Sequence, residues 1–285
     1  MTRPPLHDAA RLAVGTLTAL RVPAPRVVDQ RVGAWAMTLA PLVGALLAVL
    51  AGGFLWLLGW GPPGNEPPLV AVLGDRAHAL VVDPLLASVV VIGLLAVITR
   101  GIHLDGLADT ADGLGSGRPA DQALAVMRRG DVGPFGVVTL VLVLLTQVVA
   151  LAELTAAGLG PAALFVALVV SRLALAVVCS RGIPAARSEG LGHGVAGTVG
   201  RGQLALSVVI AAVVLAGLAL VSPDVHALNP SVALRAVVVV LLALLVAGLV
   251  VRRAVRRLGG VTGDVLGAAV EVTFTTVLVL LTLLT

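Results

Sequence analysis

Apolar residues run along this chain in seven long stretches, approximately 35–60, 79–99, 135–157, 161–180, 204–221, 232–251 and 265–284. Each is long enough for a helix of roughly 20 residues, the length that crosses a bilayer. Polar or Gly/Pro-rich segments separate them, among them GPPGNEPP at 61–68 and SPDVHALNP at 222–230. Pro41, Gly52 and Gly53 interrupt the first stretch and mark places where it can bend. Ahead of it, Leu6, Ala10, Ala13, Val14 and Leu17 recur with helical spacing among His7, Asp8 and Arg11, between Pro4–Pro5 and Pro23. That pattern predicts a short amphipathic helix at the membrane interface and not a signal peptide, because it lacks a long apolar core. No repeat, low-complexity tail or soluble domain is visible, so the expectation is one all-α, polytopic membrane domain spanning 1–285.

The arginines orient this bundle. With the N-terminus inside, the inner segments hold sixteen of the nineteen. The exceptions are Arg76 and Arg235 on the outer side and Arg172 within the fourth stretch. This bias predicts a cytoplasmic N-terminus in the cell membrane.

Composition agrees. Hydrophobic residues make up 59% of the chain and charged residues 12%, and the mean hydropathy is +1.09. Those values exclude an ordinary soluble domain. Every basic residue is Arg and Tyr is absent, so the pI of about 11.1 overstates a net charge of only +4. No nucleic-acid-binding patch is read from it. The single Cys179 lies in an apolar run, with neither a disulfide partner nor zinc spacing.

Against that background the segment HLDGLADTADG at 103–113 stands out. On a helix, Asp105, Asp109 and Asp112 share one face. At about 6 Å separation and an effective dielectric near 20, each pair repels by about 3 kcal/mol. A divalent cation would remove that repulsion. Oxygen-only donors point to Mg²⁺, with Mn²⁺ acceptable, and not to zinc. Gly106 and Gly113 leave the helix backbone open to close approach by a ligand.

The same topology brings a second acidic element, GGVTGDVLGAAVE at 259–271, to the same side. Asp264 and Glu271 are seven residues apart and share a face beside the small residues Gly263 and Gly267. Two acid-bearing helices at one membrane face predict a shared metal centre able to clamp a diphosphate.

Four segments together resemble the cobalamin synthase family, the adenosylcobinamide-GDP ribazoletransferases: HLDGLADTADG at 103–113, MRRGDVGPFG at 127–136, PAARSEGLG at 184–192 and GGVTGDVLGA at 259–268. LTALRVPAP at 17–25 is a weaker trace of the same pattern. Two positions depart from it: the acidic residue after Met127 stands two places late, as Asp131, and Phe274 replaces a second glutamate after Glu271.

The resemblance implies that a hydroxyl of α-ribazole, or of α-ribazole 5′-phosphate, attacks the corrinoid-linked phosphate of adenosylcobinamide-GDP. GMP would leave and adenosylcobalamin, or its 5′-phosphate, would form. It implies catalytic roles for Asp105, Asp109, Asp112 and Asp264, the same four with Glu271 as the Mg²⁺ set, and one of the carboxylates (Asp112 among them) as proton acceptor. Arg128, Arg129 and Arg187 become candidates to hold phosphates by bidentate hydrogen bonds, with Glu189 beside Arg187 and His103 beside the first aspartate. His103 points away from the acidic face if its helix is regular. Arg172, inside a span, is expected to face the bundle interior near an acid. Trp35, Trp56 and Trp60 near span ends fit interfacial anchoring. His7, His78, His193 and His226 carry no assigned role.

Membrane lipid is the implied surrounding, nucleic acid is not a partner, and a homo-oligomer is compatible with the sequence. Other membrane transferases using an activated diphosphate, the CDP-alcohol phosphotransferases and prenyltransferases, fit less well. The D-G-x-x-A-R start of the former is missing, and Asp264 is a poor second aspartate motif for the latter. A transporter fits least, since it predicts repeats and midplane acids.

Overall fold

The computed structural model describes residues 5–61, 82–221 and 230–284. Pro4, Arg76, His78, His226, the loops at 62–68 and 222–229 and the start of the second apolar stretch lie outside them. Eleven helices are described: α1 (Leu6–Leu17), α2 (Gln30–Leu57), α3 (Pro84–Ile98), α4 (Ile102–Gly115), α5 (Ala120–Val126), α6 (Pro134–Ala156), α7 (Gly160–Val178), α8 (Leu191–Val195), α9 (Arg201–Val221), α10 (Pro230–Leu258) and α11 (Gly263–Leu284). The described residues contain no strand, only two isolated bridges between loops. Six of the helices are individually long and apolar enough to cross a membrane, and a seventh crossing results if α3 and α4 count as one broken span. The all-helical, polytopic expectation holds.

The centre of the bundle is α7, whose face Ala167, Leu168, Val170 and Ala174 is buried. It packs most extensively on α2 and then on α11, and α11 lies between it and α4. Close approach of α2 and α7 depends on Gly44, where a Cβ would stand 2.4 Å from the Leu168 carbonyl oxygen. Small residues at such crossings let backbones meet, which is how helices associate where lipid removes the hydrophobic drive. Outward faces stay apolar, as at Val137, Val141, Leu145, Leu241 and Leu245, as lipid contact requires.

Two helix ends and one buried face differ from the sequence expectation. The first apolar stretch begins at Gln30, because Asp29 accepts from the Val32 N–H and caps α2, and α2 continues through Pro41. Helix α10 runs through Leu258, so Arg252, Arg253, Arg256 and Arg257 ride on a helix and not in a loop. Ala254 and Leu258 on its buried stripe hold that extension down. In α1 the buried stripe is Ala9, Ala13 and Leu17, packed against α2, while Leu6 remains 44% exposed.

The second span is shorter than expected. After Ile98 the chain turns by 89° into α4. The Gly101 N–H donates to Ala96 O (2.7 Å) and the Arg100 N–H to Val97 O (3.0 Å), a Schellman ending with Arg100 itself in the left-handed region at φ 56°. Arg100 is held there as its guanidinium donates to Gly15 O on α1 (2.9 Å). With 14 residues and three acids, α4 is not itself a crossing. It is a helix laid across the end of the bundle.

Candidate active site at the face of the aspartate helix

Helix α4 rests on the first turns of α11. At Gly106 a Cβ would stand 2.7 Å from Asp264 O and 2.9 Å from Asp264 Cα, and at Gly267 one would stand 3.1 Å from His103 Cα. These two glycines permit the contact. Met127 fills the space beside Gly113, where a Cβ would stand 2.6 Å from its sulfur. The openings at Gly106 and Gly113, expected to admit a ligand, are occupied by the protein, a correction to the sequence reading.

The crossing brings acids together. Asp105 is exposed and Asp109 half-buried on α4, and Asp264 is half-buried at the start of α11. Burial, then the charges of Asp105, Asp264 and Asp112, push the Asp109 carboxyl up to about 6, with Arg187 opposing. The Arg187 guanidinium lies 3.6 Å from an Asp264 oxygen and donates to Leu124 O on α5 (3.0 Å). Burial moves it below its usual range, with Asp264 opposing and the nearby charge of Arg128 adding to the shift. Arg187 therefore stands between the acidic cluster and the α5 loop.

The loop bearing Arg187 is fixed to the loop before α11. The Ala186 N–H donates to Val261 O and the Val261 N–H to Pro184 O, both at 2.9 Å. Gly260 is essential to this contact, since a Cβ there would lie 2.5 Å from the Ala186 backbone nitrogen. Thr262 caps α11 by accepting from the Val265 N–H (3.3 Å), and its hydroxyl donates to Asp264 (3.1 Å).

Asp112 behaves differently. It is 5% exposed and accepts from the Gly133 N–H (2.7 Å) and the Gly136 N–H (2.9 Å), one on each carboxylate oxygen. These amides open α6, so Asp112 caps a neighbouring helix and meets its dipole. The segment MRRGDVGPFG thus works largely through its glycines and Met127, a role the sequence pattern did not reveal. Arg128, Arg129 and Asp131 are exposed beside it.

Other residues singled out in the sequence stand apart from this cluster. Glu271 lies two helical turns, about 10 Å, along α11 from Asp264. There it accepts from Gln147 Nε2 on α6 (2.8 Å) and lines a cavity of about 30 Å³ with Arg172 and Thr99. The predicted grouping of Glu271 with the aspartates is corrected: helix rise separates them. Arg172 faces the interior as expected, 3% exposed and donating to Ser171 Oγ (2.9 Å). His103 is 4% exposed, packed between α4 and α11, and neither ring nitrogen has a partner among the described residues. Glu189 and His193 are exposed on the surface.

Among the described residues, no three carboxylate, imidazole or thiol groups already stand ready to hold a metal ion. The donor set that converges is nonetheless oxygen-only and repels itself. That suits Mg²⁺, which takes one or two carboxylates and completes its shell with water and substrate phosphates.

The fold and this face together define a helical membrane protein that gathers carboxylates against an arginine at one end of its bundle. The chain matches the cobalamin-5-phosphate synthase family over residues 9–282 and belongs to that family. Curated relatives named adenosylcobinamide-GDP ribazoletransferase include one from Frankia casuarinae, 41% identical over 268 residues, covering 93% of this chain and 90% of the relative. One from a Nocardioides species is 40% identical over 266 residues, covering 93% and 94%. One from Escherichia coli is 34% identical over 241 residues, covering 81% of each. No solved structure matches the chain.

Proposed function

We propose that this chain joins adenosylcobinamide-GDP to α-ribazole or its 5′-phosphate, releasing GMP, at the face built by α4 and α11. The observation that carries the reading is the convergence of Asp105, Asp109 and Asp264 with Arg187 at one end of a membrane bundle, in a chain whose relatives bear that name.

In this reading Arg187, with Arg128 and Arg129 on the adjoining loop, holds the diphosphate. Planar guanidinium groups bind phosphate oxygens in pairs and lose little freedom in doing so. Asp105 and Asp264 would hold Mg²⁺, which would supply charge neutralisation to the diphosphate when bound. The ribose hydroxyl oxygen forms a bond to the corrinoid-linked phosphorus, the bond from that phosphorus to the GMP oxygen breaks, and the hydroxyl proton passes to Asp109. Such transfers need positioning and charge neutralisation more than covalent help. Asp112 is assigned no proton, since both its oxygens already accept backbone N–H groups. The arginine bias supports a cytoplasmic position for this face at the cell membrane.

GMP release by purified protein, given both substrates and Mg²⁺, tests the reading. Acceptor-dependent release that stops with EDTA, and that Asp109→Asn abolishes while the protein still inserts and folds, is the expected result. Release that persists in EDTA removes the metal assignment. Absence of release from folded protein with either acceptor removes the reaction.

A further inference from the structure

A second concentration of positive charge lies outside the aspartate face. The end of α7 and the start of α9 are joined by a short parallel bridge: the Arg181 N–H donates to Val199 O and the Val199 N–H to Cys179 O, both at 3.0 Å. This fixed crossing sets Arg181 beside Arg201, the first residue of α9, in a cleft of about 800 Å³ whose wall includes Gly200 and Gly202. An adjoining cleft of about 440 Å³ carries Arg31 and Trp35 from the first turns of α2 and shares Arg181 and Gln203 with the first.

No acid lines either cleft among the described residues, and neither Arg181 nor Arg201 forms a salt bridge to a described acid. At Gly200 a Cβ would stand 3.7 Å from Arg181 Nε and Cζ, so glycine leaves the wall beside the guanidinium bare. Arginines that only set topology need to sit on the inner side; they need not converge on one acid-free cleft of ligand size.

The cleft lies close to the aspartate face. Helix α8 stands between them: Gly192 is packed against Thr262 before α11, and Gly194 O against Gly33 of α2. Alternating helix directions put the starts of α2, α9 and α11 and the end of α7 at one end of the bundle.

We propose that this cleft is a second phosphate-binding site, where Arg181 and Arg201 grip a phosphate monoester or diester with Gln203 as a further donor. The phosphate comes either from the acceptor nucleotide, a source that rests on the reading above, or from an anionic lipid headgroup, which does not. Guanidinium pairs free of carboxylates favour phosphate by fork geometry, and Trp35 offers an aromatic face beside it.

The test uses the full chain in nanodiscs of phosphatidylcholine alone or with phosphatidylglycerol added. Equilibrium binding of α-ribazole 5′-phosphate and of α-ribazole is measured without the donor, alongside retention of phosphatidylglycerol by native mass spectrometry. In Arg181→Gln/Arg201→Gln, binding of the 5′-phosphate should weaken by about tenfold or more while α-ribazole binding is unchanged, which identifies the nucleotide source. Loss of phosphatidylglycerol retention with both nucleosides unaffected identifies the lipid source. Gln203→Ala should move the same readout in the same direction if the double variant fails to insert, and Arg252→Gln, exposed on α10, should change neither. A variant that binds both nucleosides and retains lipid as the parent does overturns the proposal. Parent protein that binds phosphate here but releases no GMP overturns the reaction and leaves the cleft standing.

Discussion

Replacing Gly133 by alanine forces the Asp112 carboxylate out of its place. The new Cβ would stand 2.5 Å from Oδ1, 2.8 Å from Cγ and 3.1 Å from Oδ2. Nothing but Asp112 is among those neighbours, and Gly133 has φ −83° and ψ 177°, which alanine adopts without strain. The substitution therefore acts first on Asp112. That carboxylate accepts two backbone N–H bonds, at 2.7 and 2.9 Å, in a buried setting. Each bond to a charged acceptor contributes about 1.5–3 kcal/mol.

Loss of one bond and distortion of the other makes Gly133→Ala cost about 2–3 kcal/mol. Asp112→Ala, which strands both amides, costs about 3–5 kcal/mol. In the Asp112→Ala background the obstacle is gone, and Gly133→Ala should be neutral or stabilise by about 0.5 kcal/mol through the unfolded chain. The double-mutant cycle thus predicts a coupling of about 2–3 kcal/mol. SDS titration of the purified protein in mixed micelles, followed by far-UV circular dichroism, measures all four corners. Additive costs, with coupling under about 0.5 kcal/mol, would refute the claim that Asp112 serves chiefly to anchor α6.

Other expectations follow from the same contacts. Gly106→Val pushes against the Asp264 backbone and should lower kcat by about tenfold or more with membrane insertion retained, since displacement near 1 Å is costly to catalysis; unchanged kcat would show that the α4–α11 contact does not align the acids. Glu271→Leu removes one of the two acceptors of Gln147, leaving Thr275 Oγ1 at 2.9 Å, and should destabilise by about 1–3 kcal/mol while leaving the Mg²⁺ activation constant unchanged; a weakened metal constant would return Glu271 to the metal set. Ser116→Cys should react with a membrane-impermeant maleimide only from the cytoplasmic side, Cys179 being buried; labelling from the other side would invert the topology.

The spans were legible because their signal is additive: about 20 apolar residues make a crossing whatever packs against them. The aspartate face was legible for the related reason that carboxylates beside apolar spans have few inexpensive places to go. What escaped was pairwise. Nothing in HLDGLADTADG distinguishes Asp112 from Asp109, because the difference lies in two amides more than twenty residues away that only the docking of α6 supplies. Glu271 shares a helix face with Asp264, as the seven-residue spacing says, but face is an angular property and the separation is axial. The turn at Arg100 was hidden for another reason: a left-handed Schellman residue is usually glycine, and here an arginine takes that position with a side-chain bond to α1.

The glycines in the four motifs explain how such a face can exist at all. Three carboxylates approaching one another in a partly desolvated setting raise each other's energy: burial first, then the charges of Asp105, Asp264 and Asp112, push the Asp109 carboxyl up. Bulkier residues at Gly106, Gly260 and Gly267 would let the helices and loops relax apart and relieve the repulsion. Their absence lets backbone lie on backbone, so the packing of α4 on α11, and of the Arg187 loop on Val261, holds the acids closer than they would settle alone. The motif glycines and the motif acids are therefore one device: the former supply the contact that keeps the latter together, as the proposed cation site requires. It follows that enlarging Gly260 or Gly106 should loosen cation binding even though neither residue carries a ligand atom.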